Sequence, residues 1–369
     1  MNINKNFKWV TLDRIKKEHA QYNWLIGQRS NGKTYAVLKE AIDNWVDNGK
    51  QTAYIRRWRE DFRGKNGQTI FDALTHDNYI SKRTKGEWTD IYYFSGRWYF
   101  CKYEDGKRIT QDKPFCFAFS LTNMEHDKST SYPLITLVIF DEAISRDGYI
   151  NDEFVLFCNV LSTIIRQRED VVIYLLGNTV NKYCPYFTEM GLTNVKNMNE
   201  GDVDVYTYGA SNLRVAVQFT DSITKKGKPS DVYFAFNNPK LQMITGQGSD
   251  VWELDIYPHC PIKYDKTDIK FIYFIKFNDD LLQCEIVQKE RSFFTYVHRK
   301  TTTLRDTQHD LIYDTECHSE VNYRRNILKS TDELDKKIAW FYKIDKVFYQ
   351  DNEVGDIINN YLKWCRQNI

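Results

Sequence analysis

Over the first half of the chain, short apolar runs alternate with segments of helical period. Tyr22–Gly27 is an apolar run ending in glycine, and residues 34–46 follow with Ala36, Val37, Ala41 and Trp45 spaced among charges. That spacing predicts a helix. Residues 52–56 predict a second strand, so strand, glycine-rich turn, helix and strand open a βαβ unit. Residues 134–140 are continuously apolar, the pattern of a central parallel strand covered on both faces. A helix is expected over 152–166, with Phe154, Val155, Cys158, Leu161 and Ile165 on one side. A buried strand at 171–176 then ends at Gly177-Asn178. One strand per helix predicts an α/β domain with a parallel core sheet.

Two stretches break this rhythm. Aromatic runs at 91–94, 98–103 and 115–121, separated by Ser95-Gly96 and Glu104-Asp105-Gly106, predict an antiparallel meander added to the core. Residues 196–232 are rich in Asn, Asp, Gly and Lys, including Lys225-Lys226-Gly227-Lys228. The expected organisation is a first domain over 1–205, a linker over 206–250 and a smaller α+β domain over 251–369. That last domain has strands at 270–277, 281–287 and 293–297 and helices near 330–346 and 354–366.

Composition narrows the classes. A length of 369 residues suits two or three domains. Lys and Arg number 51 against 50 Asp and Glu, which excludes a globally basic nucleic-acid coat and an acidic tail. Hydrophobics at 42% exclude an intrinsically disordered chain. The eight cysteines form no Cys-x-x-Cys pair, and the first twenty residues lack an apolar run. Reduced thiols in a soluble cytoplasmic protein without a signal peptide are therefore expected. The adjacent pairs His259-Cys260 and Cys317-His318 do not have structural-zinc spacing. No run approaches a membrane span.

The chemistry concentrates in two places. Gly27, Gln28, Arg29, Ser30, Asn31, Gly32, Lys33 and Thr34 match G-x-x-x-x-G-K-[ST] in full, between a strand and a helix. The glycines let successive amides curl around a phosphate. Lys33 is expected on the β/γ oxygens of ATP and the Thr34 hydroxyl on Mg2+. The helix N-terminus adds its dipole. About 110 residues on, the apolar strand ends in Asp141 and Glu142. Asp141 emerges where open α/β sheets bind ligands and is expected to hold the magnesium. Glu142 is expected to polarise a water for attack on the γ-phosphate. Asn178, ending the next buried strand, is placed to sense that phosphate. Arg166 and Arg168 follow the helix that precedes that strand. The segments Arg56-Arg57-Trp58-Arg59 and residues 293–300 mix basic and aromatic residues. Such mixing suits stacked nucleic acid, and equally any strand with one buried face.

With these residues assembled, the chain resembles the DNA-packaging ATPases of small picovirus-type podoviruses, of the additional-strand, catalytic-glutamate P-loop class. The resemblance covers roughly the first 200 residues. It runs through Trp24-Leu25-Ile26-Gly27, Tyr54-Ile55-Arg56-Arg57, Asp105-Gly106-Lys107, Lys128-Ser129 and Tyr132-Pro133. Val138-Ile139-Phe140-Asp141-Glu142, Arg166-Gln167-Arg168-Glu169, Gly177-Asn178 and Pro185-Tyr186-Phe187 complete it. It implies a double-stranded DNA translocase that fills a viral procapsid as a homo-oligomeric ring, a pentamer, at the portal vertex in the host cytoplasm. A scaffold RNA is a further partner of such motors. Arg166 is implied as a finger acting on the neighbouring subunit, with Arg59 and Lys128 near the same interface. The loop 143–150 is implied to face the pore, making Arg146 a DNA contact. The C-terminal domain is implied to be RNase H-like without catalysis, docking nucleic acid or portal; Asp279, Asp280, Asp314 and Glu316 have no metal-cluster spacing. Two other readings stand beside this one. A terminase-like motor would cut DNA with its C-terminal domain. A P-loop kinase would need an arginine-rich lid, which the sequence lacks.

Overall fold

Alternating runs of this kind bury one set of side chains on each sheet face, and the computed structural model bears this out. It describes residues 9–122, 130–146, 148–209, 212–221, 252, 257–260, 262–304, 309–329 and 332–368. The chain divides into two units, Met1–Trp252 and Glu253–Ile369.

The first unit is a mixed α/β sheet rich in parallel strands. A short helix α1 (Asp13–Lys16) leads into β1 (Tyr22–Gly27), helix α2 (Lys33–Asn48) and β2 (Gln51–Arg56). Three one-turn helices α3 (Lys65–Thr69), α4 (Asp72–His76) and α5 (Tyr79–Arg83) precede β3 (Asp90–Phe94), β4 (Arg97–Glu104), β5 (Lys107–Thr110) and β6 (Cys116–Ser120). Then come β7 (Ile135–Phe140), α6 (Glu153–Ile165), β8 (Val172–Asn178), α7 (Pro185–Glu189), β9 (Val203–Tyr208) and β10 (Leu213–Phe219). The strand order is β3-β4-β6-β2-β7-β8-β1-β10-β9, with β5 on β4. From β6 to β10 every pairing is parallel, and antiparallel strands flank this core on both sides.

Strand alternation splits the core in two. Trp24, Ile26, Ile55, Val138 and Phe140 pack with α6 and α7 on one face. Leu25, Tyr54, Leu137 and Ile139 pack with α2 and the short helices on the other. Burying each such side chain contributes about 1.5–3 kcal/mol.

Two expectations need correction. The linker placed over 206–250 begins too early. Residues 203–208 and 213–219 are sheet strands, β10 pairing in parallel with β1 from Tyr22↔Val215 to Ile26↔Phe219. Scattered polar residues masked a strand whose buried positions are Val215, Ala216, Val217 and Phe219. The loop expected at 246–249 lies outside the described residues. In α6 the buried face is Phe157, Val160, Leu161 and Ile164, whereas Val155 is 56% exposed and Cys158 is exposed. The helix is apolar nearly all round, so periodicity alone could not phase it.

The second unit is a six-stranded sheet. β11 (Ile269–Phe277), β12 (Asp280–Lys289) and β13 (Ser292–Arg299) form an antiparallel meander. β14 (Ile312–Asp314) joins β11 in parallel, β15 (Tyr323–Arg324) joins β14, and β16 (Val347–Tyr349) joins β13. Helices α8 (Glu333–Lys343) and α9 (Asn352–Gln367) start at Asp332 and Asp351, whose carboxylates accept from the Leu334 and Val354 amides. Each is an ordinary N-cap. All eight cysteines are free. Among the described residues, no helix is long and apolar enough to cross a membrane.

Candidate nucleotide site

β1 ends at Gly27 with its neighbour Asn178 in register on β8. The loop then turns through Ser30 and Gly32, both at positive φ (61° and 93°), before α2 begins at Lys33. A Cβ on Gly27 would lie 2.0 Å from Thr220 Oγ1, so only glycine fits there. Thr220, just past β10, anchors the loop. Its hydroxyl donates to the Ile26 carbonyl (2.9 Å) and accepts from Asn31 Nδ2 (2.7 Å). Lys33 Nζ folds back onto the Gly27 carbonyl (3.0 Å), the Gln28 carbonyl (2.7 Å) and Asn31 Oδ1 (3.1 Å). Burial pulls the Lys33 amine down to about 7; Asp141 opposes that shift and Arg29 adds to it.

Residues 107 positions apart meet at the head of α2. Thr34 Oγ1 lies 3.4 Å from both carboxylate oxygens of Asp141. This all-oxygen pair has the donor chemistry that a hard divalent cation takes, so the residues fit magnesium. Asp141 Oδ2 also accepts from the buried Tyr54 hydroxyl (2.6 Å), and Oδ1 from the Glu142 amide (3.0 Å). Glu142 sits at φ 59°, in left-handed backbone. Its carboxylate is 62% exposed and pairs with Arg56 Nη1 at 2.8 Å.

The arginine run after β2 therefore divides. Arg56 turns to the acidic pair, and Arg57 is buried on the opposite face, bonded to Glu153. Trp58 and Arg59 are exposed. Arg56 and Arg57 thus face the acidic loop of their own chain. Along residues 293–300, Phe294, Thr295 and Val297 are buried, and Arg299 pairs with Asp280 and Glu353. That is a half-buried strand with a neutralised end.

The remaining candidates stand apart. Arg166 caps the far end of α6 at φ 55°, exposed, and donates to the Thr130 carbonyl (3.1 Å). The thirteen residues of α6 put about 20 Å between its two ends. Arg146 and Arg59 are exposed, and Asn178 is half-buried at the strand edge. Lys128 lies outside the described residues. Sequence reasoning missed Tyr54, Arg56 and Thr220 at this site. A polar residue inside or just beyond an apolar strand was the available signal for each. In the second unit, sequence reasoning set aside His318 for lacking zinc spacing and Asp314 and Glu316 for lacking cluster spacing, and the fold brings the three together. Asp314, Glu316 and His318 bring ligand atoms within 4.8 Å of one another, with Lys276 Nζ 3.0 Å from Asp314 Oδ2.

Parallel sheet, glycine loop and acidic strand end define an α/β fold, which is also that of phage DNA-packaging motor proteins. The bacteriophage Phi-29 viral genome packaging motor assembly superposes with a TM-score of 0.54 at 19% identity, covering 97% of this chain and 99% of that one. The Phi-28 gp11 DNA packaging motor gives 0.50 at 19% identity, covering 97% and 96%. The chain belongs to the podovirus DNA encapsidation protein (Gp16) family, which matches residues 8–232. It is 33% identical over 173 residues to a DNA packaging protein of Bacillus phage B103, covering 46% of this chain and 48% of that one. A DNA packaging protein of Bacillus phage phi29 is 28% identical over 183 residues, covering 49% and 47%. The chain thus spans about half the length of the curated relatives it matches.

Proposed function

We propose that this chain is an ATP-driven double-stranded DNA translocase that packages a viral genome, working as a homo-oligomeric ring on the portal of the procapsid. One observation carries the reading: Lys33, Thr34 and Asp141 converge at the head of α2, with Glu142 beside them. Lys33 exchanges its own loop's carbonyls for phosphate oxygens. Thr34 and Asp141 hold Mg2+, which when bound neutralises charge on the phosphates. Glu142 accepts a proton from the attacking water. Arg166 reaches the neighbouring subunit's nucleotide. Arg59 and Lys128 lie near that interface, Asn178 senses the γ-phosphate, and Arg146 meets DNA. Purified protein should hydrolyse ATP faster with double-stranded DNA, and Lys33→Ala should not. Equal rates in both would overturn the reading.

The second unit supports a docking role with an RNase H-like sheet. Its strands run β16-β13-β12-β11-β14-β15: the antiparallel meander β13-β12-β11 continues in parallel through β14 and β15, and β16 adds a parallel edge strand beside β13. A terminase-like nuclease finds its best support in Asp314, Glu316 and His318. Lys276, however, puts an ammonium among those ligands, 3.0 Å from Asp314 and 3.5 Å from Glu316. A built-in cation competes with a catalytic one, so the domain docks portal or nucleic acid. Manganese-dependent cutting of plasmid DNA that survives Lys33→Ala would reverse that choice.

A further inference from the structure

Glu142 sits in left-handed backbone without being glycine. A side chain with a Cβ adopts that conformation at a cost, and it persists where surrounding contacts over-determine it. The amide side is held by Asp141 Oδ1. The carbonyl side is held by Arg57. Its Nη1 donates to the Glu142 carbonyl (3.2 Å) and its Nη2 to the Ala143 carbonyl (3.1 Å).

Arg57 is itself fixed. Its guanidinium is 7% exposed as a residue and lies 5.3 Å from the Tyr149 ring centroid. Nε and Nη2 fork onto Glu153 Oε2 (2.7 Å) and Oε1 (2.8 Å). Glu153 is 2% exposed and also accepts from the Tyr186 hydroxyl (2.9 Å) and the Ile150 amide (2.8 Å). Every oxygen of this buried carboxylate therefore has two donors. Glu153 is the first residue of α6, and Arg166 follows its last. One guanidinium thus connects the peptide of Glu142, both ends of the loop 143–152, and the helix leading to Arg166.

We propose that Arg57 is a positioning residue, holding the Glu142 peptide in its left-handed conformation and, through Glu153, tying it to helix α6. The proposal rests on Glu142 acting as the base. Arg57 couples the acidic pair of one subunit, through Glu153, to the helix that leads to the finger presented to the next. Lysine cannot replace Arg57, because a point charge cannot serve two carbonyls and two carboxylate oxygens at once.

The test separates positioning from stability in the full chain. Replacing both members of a buried ion pair with apolar residues is often neutral for stability. Arg57→Met with Glu153→Leu leaves no unpaired charge, but the Tyr186 hydroxyl, the Ile150 amide and the Glu142 and Ala143 carbonyls lose their partners, so it should fold with a lowered melting temperature and bind a fluorescent ATP analogue within about twofold of the wild type. Its turnover should fall roughly 100-fold, the cost of misplacing a reacting group by about 1 Å. Wild-type turnover in this folded double variant would overturn the proposal. If the double variant does not fold, Arg57→Lys is read instead, with the same affinity and the same loss of turnover expected. A second readout needs no catalysis: tryptic cleavage after the exposed Arg146 should accelerate several-fold in Arg57→Lys. Unchanged digestion sinks the positioning role of Arg57 even if the wild type hydrolyses nothing, whereas an inactive wild type with faster digestion in the variant sinks only the ATPase reading.

Discussion

The Tyr54 hydroxyl, fully buried on β2, donates to Asp141 Oδ2 at 2.6 Å from the neighbouring strand. Burial first, and the Asp141 charge second, push the Tyr54 phenol well above its usual range, so it stays a donor. It satisfies one oxygen of an aspartate that is only 8% exposed. Tyr54→Phe should cost about 1.5–3 kcal/mol, the worth of a hydrogen bond to a charged group, measured by urea unfolding. It should also weaken Mg-ATP binding, since Asp141 loses the contact that fixes its rotamer. Unchanged stability and affinity would remove Tyr54 from the site.

Lys33 makes a pH prediction. Its folded pKa is lowered to about 7 from 10.5. Between those values the unfolded chain binds a proton that the folded chain does not. Stability should therefore rise with pH across that window, and Lys33→Met should flatten the rise. Phosphate charge favours the ammonium, so nucleotide binding near pH 8 should take up to about one proton. Titration calorimetry in buffers of different ionisation enthalpy reads this directly; no uptake would contradict a lowered Lys33 pKa.

Glu142→Gln keeps shape and loses the basic oxygen. It should bind ATP with near wild-type affinity and hydrolyse it roughly 10²–10⁴-fold more slowly, the usual contribution of a positioned base. The Arg56 pair at 2.8 Å is weakened as well, but that pair lies outside the phosphate loop. Lost affinity with preserved turnover would assign Glu142 to binding.

Arg166→Ala should bind ATP almost normally, since Lys33, Thr34 and Asp141 are intact. Its turnover should drop by ~10³–10⁵ if it acts on a neighbour. Mixed with Glu142→Gln subunits, it should regain hydrolysis at interfaces that pair an intact loop with an intact finger. Wild-type rates for Arg166→Ala in the presence of DNA would leave it a surface residue that holds the Thr130 carbonyl.

The local parts of this protein were determined by sequence alone. The glycine loop, the helix at Lys33–Asn48 and the apolar strand ending in Asp141 are encoded by contiguous residues. Their physics is short-range: backbone freedom at glycine, helical period, and a strand buried on both faces. What joins distant residues was decided by tertiary structure. Thr220 reaches the phosphate loop because β10 lies beside β1, 193 positions later at Tyr22↔Val215. The face α6 buries was set by its packing against the sheet, since an apolar helix carries no phase of its own. The two arginines after β2 looked alike in sequence. At the end of β2, Arg56 reaches the Glu142 carboxylate, and Arg57, one residue past the strand, reaches the Glu153 carboxylate. Which partner each would find depended on β7 and α6, some 85 to 96 residues away, and no short-range pattern encodes a pairing at that distance.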